Sequence, residues 1–179
     1  MQPRPAIRSK RLLSFLEAMA TSQARNTRKT CVSRFQHDSQ TYAWSDVERE
    51  VYKQGQDEGR EWKNIVRQVL VGKRAEETHF HVRYFEITPG GYSSLEKHGH
   101  AHVVIAVRGQ GRAVLGDQAQ DMQPLDTVYV APWTPHQFLA VGDEPFGFFC
   151  IVDAKRHRPL PVSPDEYDQA LGAGAASGK

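Results

Sequence analysis

The residues with the greatest capacity for chemistry lie in one short stretch. Of eight histidines, five fall between positions 79 and 102. The dense part reads Glu96-Lys97-His98-Gly99-His100-Ala101-His102. In an extended chain, alternate side chains point to one face. Glu96, His98, His100 and His102 then converge on one side, with Lys97 and Ala101 on the other. Imidazoles and a carboxylate on one face form a metal-ligand set. Imidazole suits Zn, Cu, Fe, Ni and Mn in different geometries, and a carboxylate tilts the set toward the harder ions. A further ligand must come from elsewhere. His136, in Pro132-Trp133-Thr134-Pro135-His136-Gln137-Phe138, is the best candidate, because prolines fix the backbone just ahead of it. The second reactive group is Cys150. In Phe146-Gly147-Phe148-Phe149-Cys150-Ile151-Val152, alternation places Phe146, Phe148, Cys150 and Val152 on one face. If that face lines an interior pocket, the thiol approaches the metal as a nucleophile; packing is the commoner fate of a free cysteine. Arg83, Arg108 and Arg112 are cations able to hold a phosphate, and none is assigned that role. Tyr129 and Trp133 can wall a pocket or simply pack.

The elements that must position these residues read as β. Residues 62–71 mix polar side chains with Ile65, Val66, Val69, Leu70 and Val71. Residues 78–87 are rich in strand formers and reach Pro89-Gly90-Gly91, a turn signal. Residues 102–107 form a short apolar run closed by Gly109-Gln110-Gly111. Residues 112–115 precede Gly116-Asp117, a hairpin turn pair. Residues 127–130 are stopped by Pro132 and Pro135, and residues 146–152 form another strand. Strands recur about every ten residues with turns between, which is the pattern of a sandwich or barrel and not of β/α units. Residues 46–53 read equally as one helical turn or a strand. The tail from 163 ends in Gly172-Ala173-Gly174-Ala175-Ala176-Ser177-Gly178 and is expected to be loose after about Leu171.

Composition limits what this fold can serve. The chain has 179 residues, which suits one domain with appendages. With 39% hydrophobic and 25% charged residues it is an ordinary globular composition, which excludes a fully disordered chain. No apolar run approaches the roughly 18 residues of a membrane-spanning helix. Cys31 and Cys150 cannot build a disulfide framework, and they point to a reducing, cytoplasmic setting. The net charge of +2 is unevenly spread. Residues 1–30 carry seven Lys or Arg against Glu17 alone, so the remaining chain is mildly acidic. Nothing there predicts nucleic-acid binding by the folded part. Leu12-Leu13-Ser14-Phe15-Leu16 follows the basic run as in an export signal, but the run is short and Glu17 interrupts it. A short amphipathic helix or frayed extension is expected there. The organisation is a basic extension over 1–41, a β-barrel domain over 42–160 and a tail over 161–179.

The histidine region resembles the first motif of the cupin family: Gly, five residues, His-x-His, three or four residues, Glu, six residues, Gly. Gly90, Glu96, His98, His102 and Gly109 match every spacing. Glu96 stands where the first His is expected, and His102 where the Glu is. Against the second motif stand Leu125, Ala131, Trp133, His136 and Ala140, and of these His136 alone agrees. The match covers about residues 75–153. The resemblance implies a small antiparallel, jelly-roll-type barrel, all-β, with one divalent metal inside it. Carried over, the ligands are Glu96, His98, His102 and His136, with His100 as a neighbour. The alternative register uses His98, His100, His102 and His136.

Arg83-Tyr84-Phe85-Glu86-Ile87, Pro89-Gly90-Gly91-Tyr92-Ser93-Ser94-Leu95-Glu96, Pro135-His136-Gln137-Phe138 and Gly147-Phe148-Phe149-Cys150-Ile151-Val152-Asp153 are similar to a narrower cupin subgroup. That subgroup includes the 1-methylthio-xylulose 5-phosphate sulfurylase of bacterial methylthioadenosine salvage. The resemblance implies a small-molecule enzyme that moves a methylthio group onto glutathione and leaves 1-deoxyxylulose 5-phosphate. It implies manganese first, with Fe, Ni or Zn as other candidates, Cys150 as the catalytic thiol, and a homodimer. Two other classes fit the same ligands: a cupin-type iron dioxygenase, which does not need Cys150, and a non-catalytic metal or small-molecule binding module. A DNA-binding regulator would need a recognition helix, and residues 1–40 show no convincing one.

Overall fold

The computed structural model describes residues 32–37, 40–52, 62–74 and 76–176. The amphipathic helix expected before residue 30, and Cys31, lie outside them. The unit that begins at Ser33 carries the barrel. Its strands are β1 (Phe35–His37), β2 (Tyr42–Trp44), β3 (Arg49–Val51), β4 (Lys63–Val71), β5 (Phe80–Tyr92), β6 (Glu96–Lys97), β7 (His102–Arg108), β8 (Gln110–Leu115), β9 (Gln118–Met122), β10 (Thr127–Val130), β11 (His136–Val141), β12 (Phe146–Asp153) and β13 (Leu160–Pro161). One helix, α1 (Pro164–Ala173), follows. Within residues 46–53, strand wins over helical turn at Arg49–Val51, where β3 pairs with β4.

All pairings are antiparallel. The sheet runs β10-β7-β12-β5-β11-β6-β13 and curls on itself, with β4 and β3 added beside β5, and β8 and β9 beside β11. β5 makes the corner. It pairs with β12 from Phe80 to Ile87, and its last residue, Tyr92, faces Leu139 of β11. Pro89-Gly90-Gly91 does not end this strand, as its composition suggests, but bends it. Gly90 has φ 72°, a left-handed conformation that favours glycine. At Gly91 a Cβ would stand 2.6 Å from the Lys63 carbonyl oxygen and 2.8 Å from the Ile87 side chain. Glycines thus let the strand leave one wall of the barrel and join the other.

The buried run Tyr84-Phe85-Glu86-Ile87 shows that β5 is covered on both faces. Phe85 and Ile87 enter the barrel core with Val104, Phe138 and Phe148. Tyr84 and Glu86 point outward, under Trp44 of β2 and the Arg108 side chain. Glu86 is a buried carboxylate, and its charge is matched. It accepts hydrogen bonds from Tyr84 Oη at 2.8 Å, Arg108 Nη1 at 2.7 Å and Arg49 Nη2 at 3.2 Å. Removing Arg108 would leave this buried carboxylate with the more exposed Arg49 as its remaining cation.

The chain after Ser163 forms a capped helix that runs two residues past Leu171, after which a loose tail is expected. Ser163 caps α1, its hydroxyl accepting from the Glu166 N–H while Glu166 accepts from the Ser163 N–H, and Pro164 opens the first turn. Gly174 ends the helix at φ 107°, and the next N–H groups bond back to Leu171 and Ala170. Ala170 is buried against Leu95 and Val114, and Lys97 pairs with Glu166 at 2.7 Å. The capping residues outweigh the glycine and alanine content, and beyond the helix the Ala176 N–H donates to Gln137.

Gly111 is a close-packed point of the core that can be tested without touching the site. A Cβ there would stand 2.4 Å from the ring of buried Phe146. Gly111→Ala is therefore expected to destabilise the fold by about 1–3 kcal/mol, read as a lowered midpoint in chemical denaturation.

Candidate metal centre

One strand end and two strand starts bring the site together. His98 follows β6, His102 opens β7 and His136 opens β11. His136 faces Glu96 across the β6–β11 ladder, and His102 faces Val130 and Val152 on its two neighbours. The loop before His136 is held against His98: the Trp133 N–H donates to the His98 carbonyl at 2.8 Å, and Trp133 itself adopts φ 65°. Local turns and ladder register thus aim three imidazoles at one point.

His98, His102 and His136 each place a ring nitrogen within 4.8 Å of the others. All three are buried. Their outer nitrogens decide which inner atoms are free. His98 Nδ1 lies 2.9 Å from the His100 carbonyl oxygen, and His136 Nδ1 lies 2.8 Å from that of Thr134. A carbonyl only accepts, so both Nδ1 atoms carry the proton and both Nε2 atoms present lone pairs. His102 Nδ1 lies 3.4 Å from Cys150 Sγ, and its buried Nε2 has no hydrogen-bond partner. A buried nitrogen without a partner calls for one. Burial pushes His98 below the ordinary histidine range, and burial reinforced by His136 and His98 pushes His102 down to about 2. Neutral imidazole is the form that binds a metal. The donor set therefore fits a divalent ion.

Glu96 and His100 share the cavity but stand outside this close group. Glu96 lines the wall, and its charge acts on His98. His100 stacks flat on His98, with ring centroids 3.6 Å apart and planes 5° apart, and its Nδ1 accepts from the His157 N–H at 3.2 Å. Cys150 is buried and lines the same cavity, with Sγ accepting from Arg83 Nη2 at 3.1 Å. Burial pushes the thiol up, and the Arg83 guanidinium opposes that rise. The cavity measures about 240 Å3. Ile65, Phe85, Phe138 and Phe148 give it an apolar wall, while Arg67, Arg83, Arg156 and His157 give it a basic one.

Of the arginines singled out in the sequence, Arg83 alone reaches the cavity. Arg108 serves Glu86, and Arg112 pairs with Asp121 at 2.6 Å. Tyr129 and Trp133 do not wall the pocket and are more than half exposed. Arg67, Arg156 and His157 were not legible as site residues. The cluster Arg156-His157-Arg158 directly after the last long strand is the signal that marks two of them.

A small curled barrel that opens on three neutral histidines presents a donor set suited to a metal ion. The chain belongs to the cupin family: the cupin domain model matches residues 83–152. A 1-methylthio-D-xylulose 5-phosphate methylsulfurylase from Rhodospirillum rubrum is 38% identical over 125 residues, which is 69% of this chain and 78% of that protein. Among solved structures, a cupin-2 domain from Rhodospirillum rubrum matches with TM-score 0.65 at 34% identity, covering 75% of this chain and 87% of that one. A cupin 2 domain-containing protein from Halorhodospira halophila matches with TM-score 0.56 at 39% identity, covering 80% and 92%.

Two expectations follow. Purified His98→Ala and His136→Ala proteins should retain no stoichiometric metal by elemental analysis, while His100→Ala should lose much less; equal loss in all three would move the ligand set to the other register. The second concerns pH. The metal-free folded protein keeps His102 neutral where the unfolded chain, with an ordinary value of 6.5, takes up a proton. The unfolded state then binds more protons, so stability falls as pH drops below 6.5, by up to about 1.4 kcal/mol per pH unit for each such group. Denaturant titrations of chelator-treated protein at pH 7 and pH 5 should show this loss.

Proposed function

We propose that the protein is a metal-dependent methylsulfurylase that converts 1-methylthio-xylulose 5-phosphate to 1-deoxyxylulose 5-phosphate and transfers the methylthio group to glutathione. The observation that carries this reading is the placement of Cys150 Sγ in the cavity, 3.4 Å from His102 and 3.1 Å from Arg83. The name of the relative that is 38% identical supplies the substrate. In this reading His98, His102 and His136 hold the metal through Nε2, with Glu96 as fourth donor and manganese before iron, nickel or zinc as the ion. When bound, the ion supplies Lewis-acid stabilisation of negative charge on a carbonyl oxygen.

The chain's own residues do the rest. Arg83 stabilises the Cys150 thiolate by a charge-assisted hydrogen bond. That thiolate attacks the sulfur of the methylthio group. The carbon–sulfur bond breaks, its electron pair passes to C1 of the sugar, and a Cys150–S–S–CH3 disulfide forms. C1 takes a proton, which gives the methyl ketone of 1-deoxyxylulose 5-phosphate. Glutathione thiolate then attacks the methylthio sulfur, the mixed disulfide leaves, and the Cys150 thiolate returns. The proton lost by glutathione balances the proton gained at C1. The apolar wall keeps water from the carbanionic carbon. The same reading places the protein in the reducing cytoplasm, where free thiols persist, as a homodimer.

Cys150→Ser should lower turnover of the methylthio-ketose phosphate with glutathione by at least about three orders of magnitude, with fold and metal content kept. Cys31→Ser should leave turnover unchanged. Full activity in Cys150→Ser would remove the thiol from the chemistry and leave the metal site to carry it alone.

A further inference from the structure

The basic wall of the cavity holds more positive charge than the described residues neutralise. Arg67 is accounted for: its Nη2 and Nε both donate to Glu50, at 2.6 and 3.2 Å. Arg83 and Arg156 differ. Among the described residues neither has a carboxylate within 4.0 Å. Arg83 spends Nη2 on Cys150, and its Nε is buried without a partner. Arg156 donates through Nη1 to His81 Nδ1 at 2.8 Å, which fixes its direction without touching its charge. Partial burial, then the nearby Arg83 and Arg67, push Arg156 below the ordinary arginine range. Both guanidiniums line the one cavity.

Like charges held together without counter-ions are costly unless a ligand neutralises them. Guanidinium forks match tetrahedral oxyanions by paired N–H donors. Two of them match a dianion better than a single carboxylate. We propose that Arg83 and Arg156 form an anion subsite that takes the phosphate monoester end of the substrate. Arg156 is the principal ligand, and Arg83 spans from the phosphate to Cys150. The subsite would orient a ketose phosphate so that its far end lies toward the thiol and the three histidines. The ligand's identity as a ketose phosphate rests on the methylsulfurylase reading, while the anion subsite rests on the arginines alone.

The test is calorimetric titration of the metal-loaded full chain with four probes: inorganic phosphate, 1-deoxyxylulose 5-phosphate, unphosphorylated 1-deoxyxylulose and S-methylglutathione. Arg156 stands at the exposed mouth, so its variants keep the fold. Arg156→Gln should weaken both phosphate-bearing probes by about tenfold to a hundredfold and leave the unphosphorylated sugar unchanged. Arg156→Lys should restore part of the loss, and Arg112→Gln should behave as wild type. Unchanged phosphate binding in Arg156→Gln would overturn the inference, because phosphate would then sit elsewhere, for instance on the metal. So would an Arg156→Gln protein that loses affinity for S-methylglutathione and keeps it for phosphate, since the site would then serve a peptide carboxylate. Phosphate binding that depends on Arg156 without any methylthio transfer would uphold the subsite and sink the methylsulfurylase reading. Methylthio transfer with unchanged KM in Arg156→Gln would do the reverse.

Discussion

A neutral imidazole offers one lone pair, and the contact made by its other nitrogen decides which atom carries it. The site in this protein depends on that constraint. Two backbone carbonyls, of His100 and Thr134, hold protons on the Nδ1 atoms of His98 and His136. Both carbonyls belong to residues two positions away from the histidine they serve, so the local turn sets the tautomer. The third histidine lacks such a carbonyl and meets a thiol instead. Metal site and thiol are therefore one construction, in which Cys150 touches the outer nitrogen of His102 while Arg83 touches Cys150.

The barrel exists to hold those turns in register. β5 crosses from one wall to the other at Pro89-Gly90-Gly91, which allows β11 to start beside β6 and places His136 opposite Glu96. The helix after β13 packs Ala170 against Leu95 and Val114. On the outer face the N-terminal strand β2 covers Tyr84, which lets β5 be buried on both sides. An apolar interior and a covered exterior leave the cavity as the place where polar groups of β5, β6, β7, β11 and β12 meet a shared space.

Much of this was legible in the residues. Period-two parity put His98 and His102 on one side, and the prolines before His136 marked it as the partner from another strand. Parity also made His100 equivalent to its neighbours, and there it reached its limit. The chain leaves regular strand geometry at residues 98–101, so His100 turns flat onto His98 and bonds to the backbone of His157. That distinction belongs to irregular backbone, which alternation does not describe. Arg156 escaped notice for another reason: a basic residue after a strand usually faces solvent, and only the fold carries its loop back over the cavity. The helix over 164–173 had its capping residues in plain view, while the glycine and alanine content after Leu171 hid its last turn.

The central claim is that three Nε2 atoms, from His98, His102 and His136, converge on one metal ion. A crystal structure of the metal-loaded protein, with anomalous scattering collected at the absorption edge of the metal, tests it directly. One ion per chain is expected at about 2.0–2.2 Å from each of those three atoms, with Cys150 Sγ behind His102 and not bound to the ion. An ion held through an Nδ1 atom, or through His100 in place of one of the three, would contradict it.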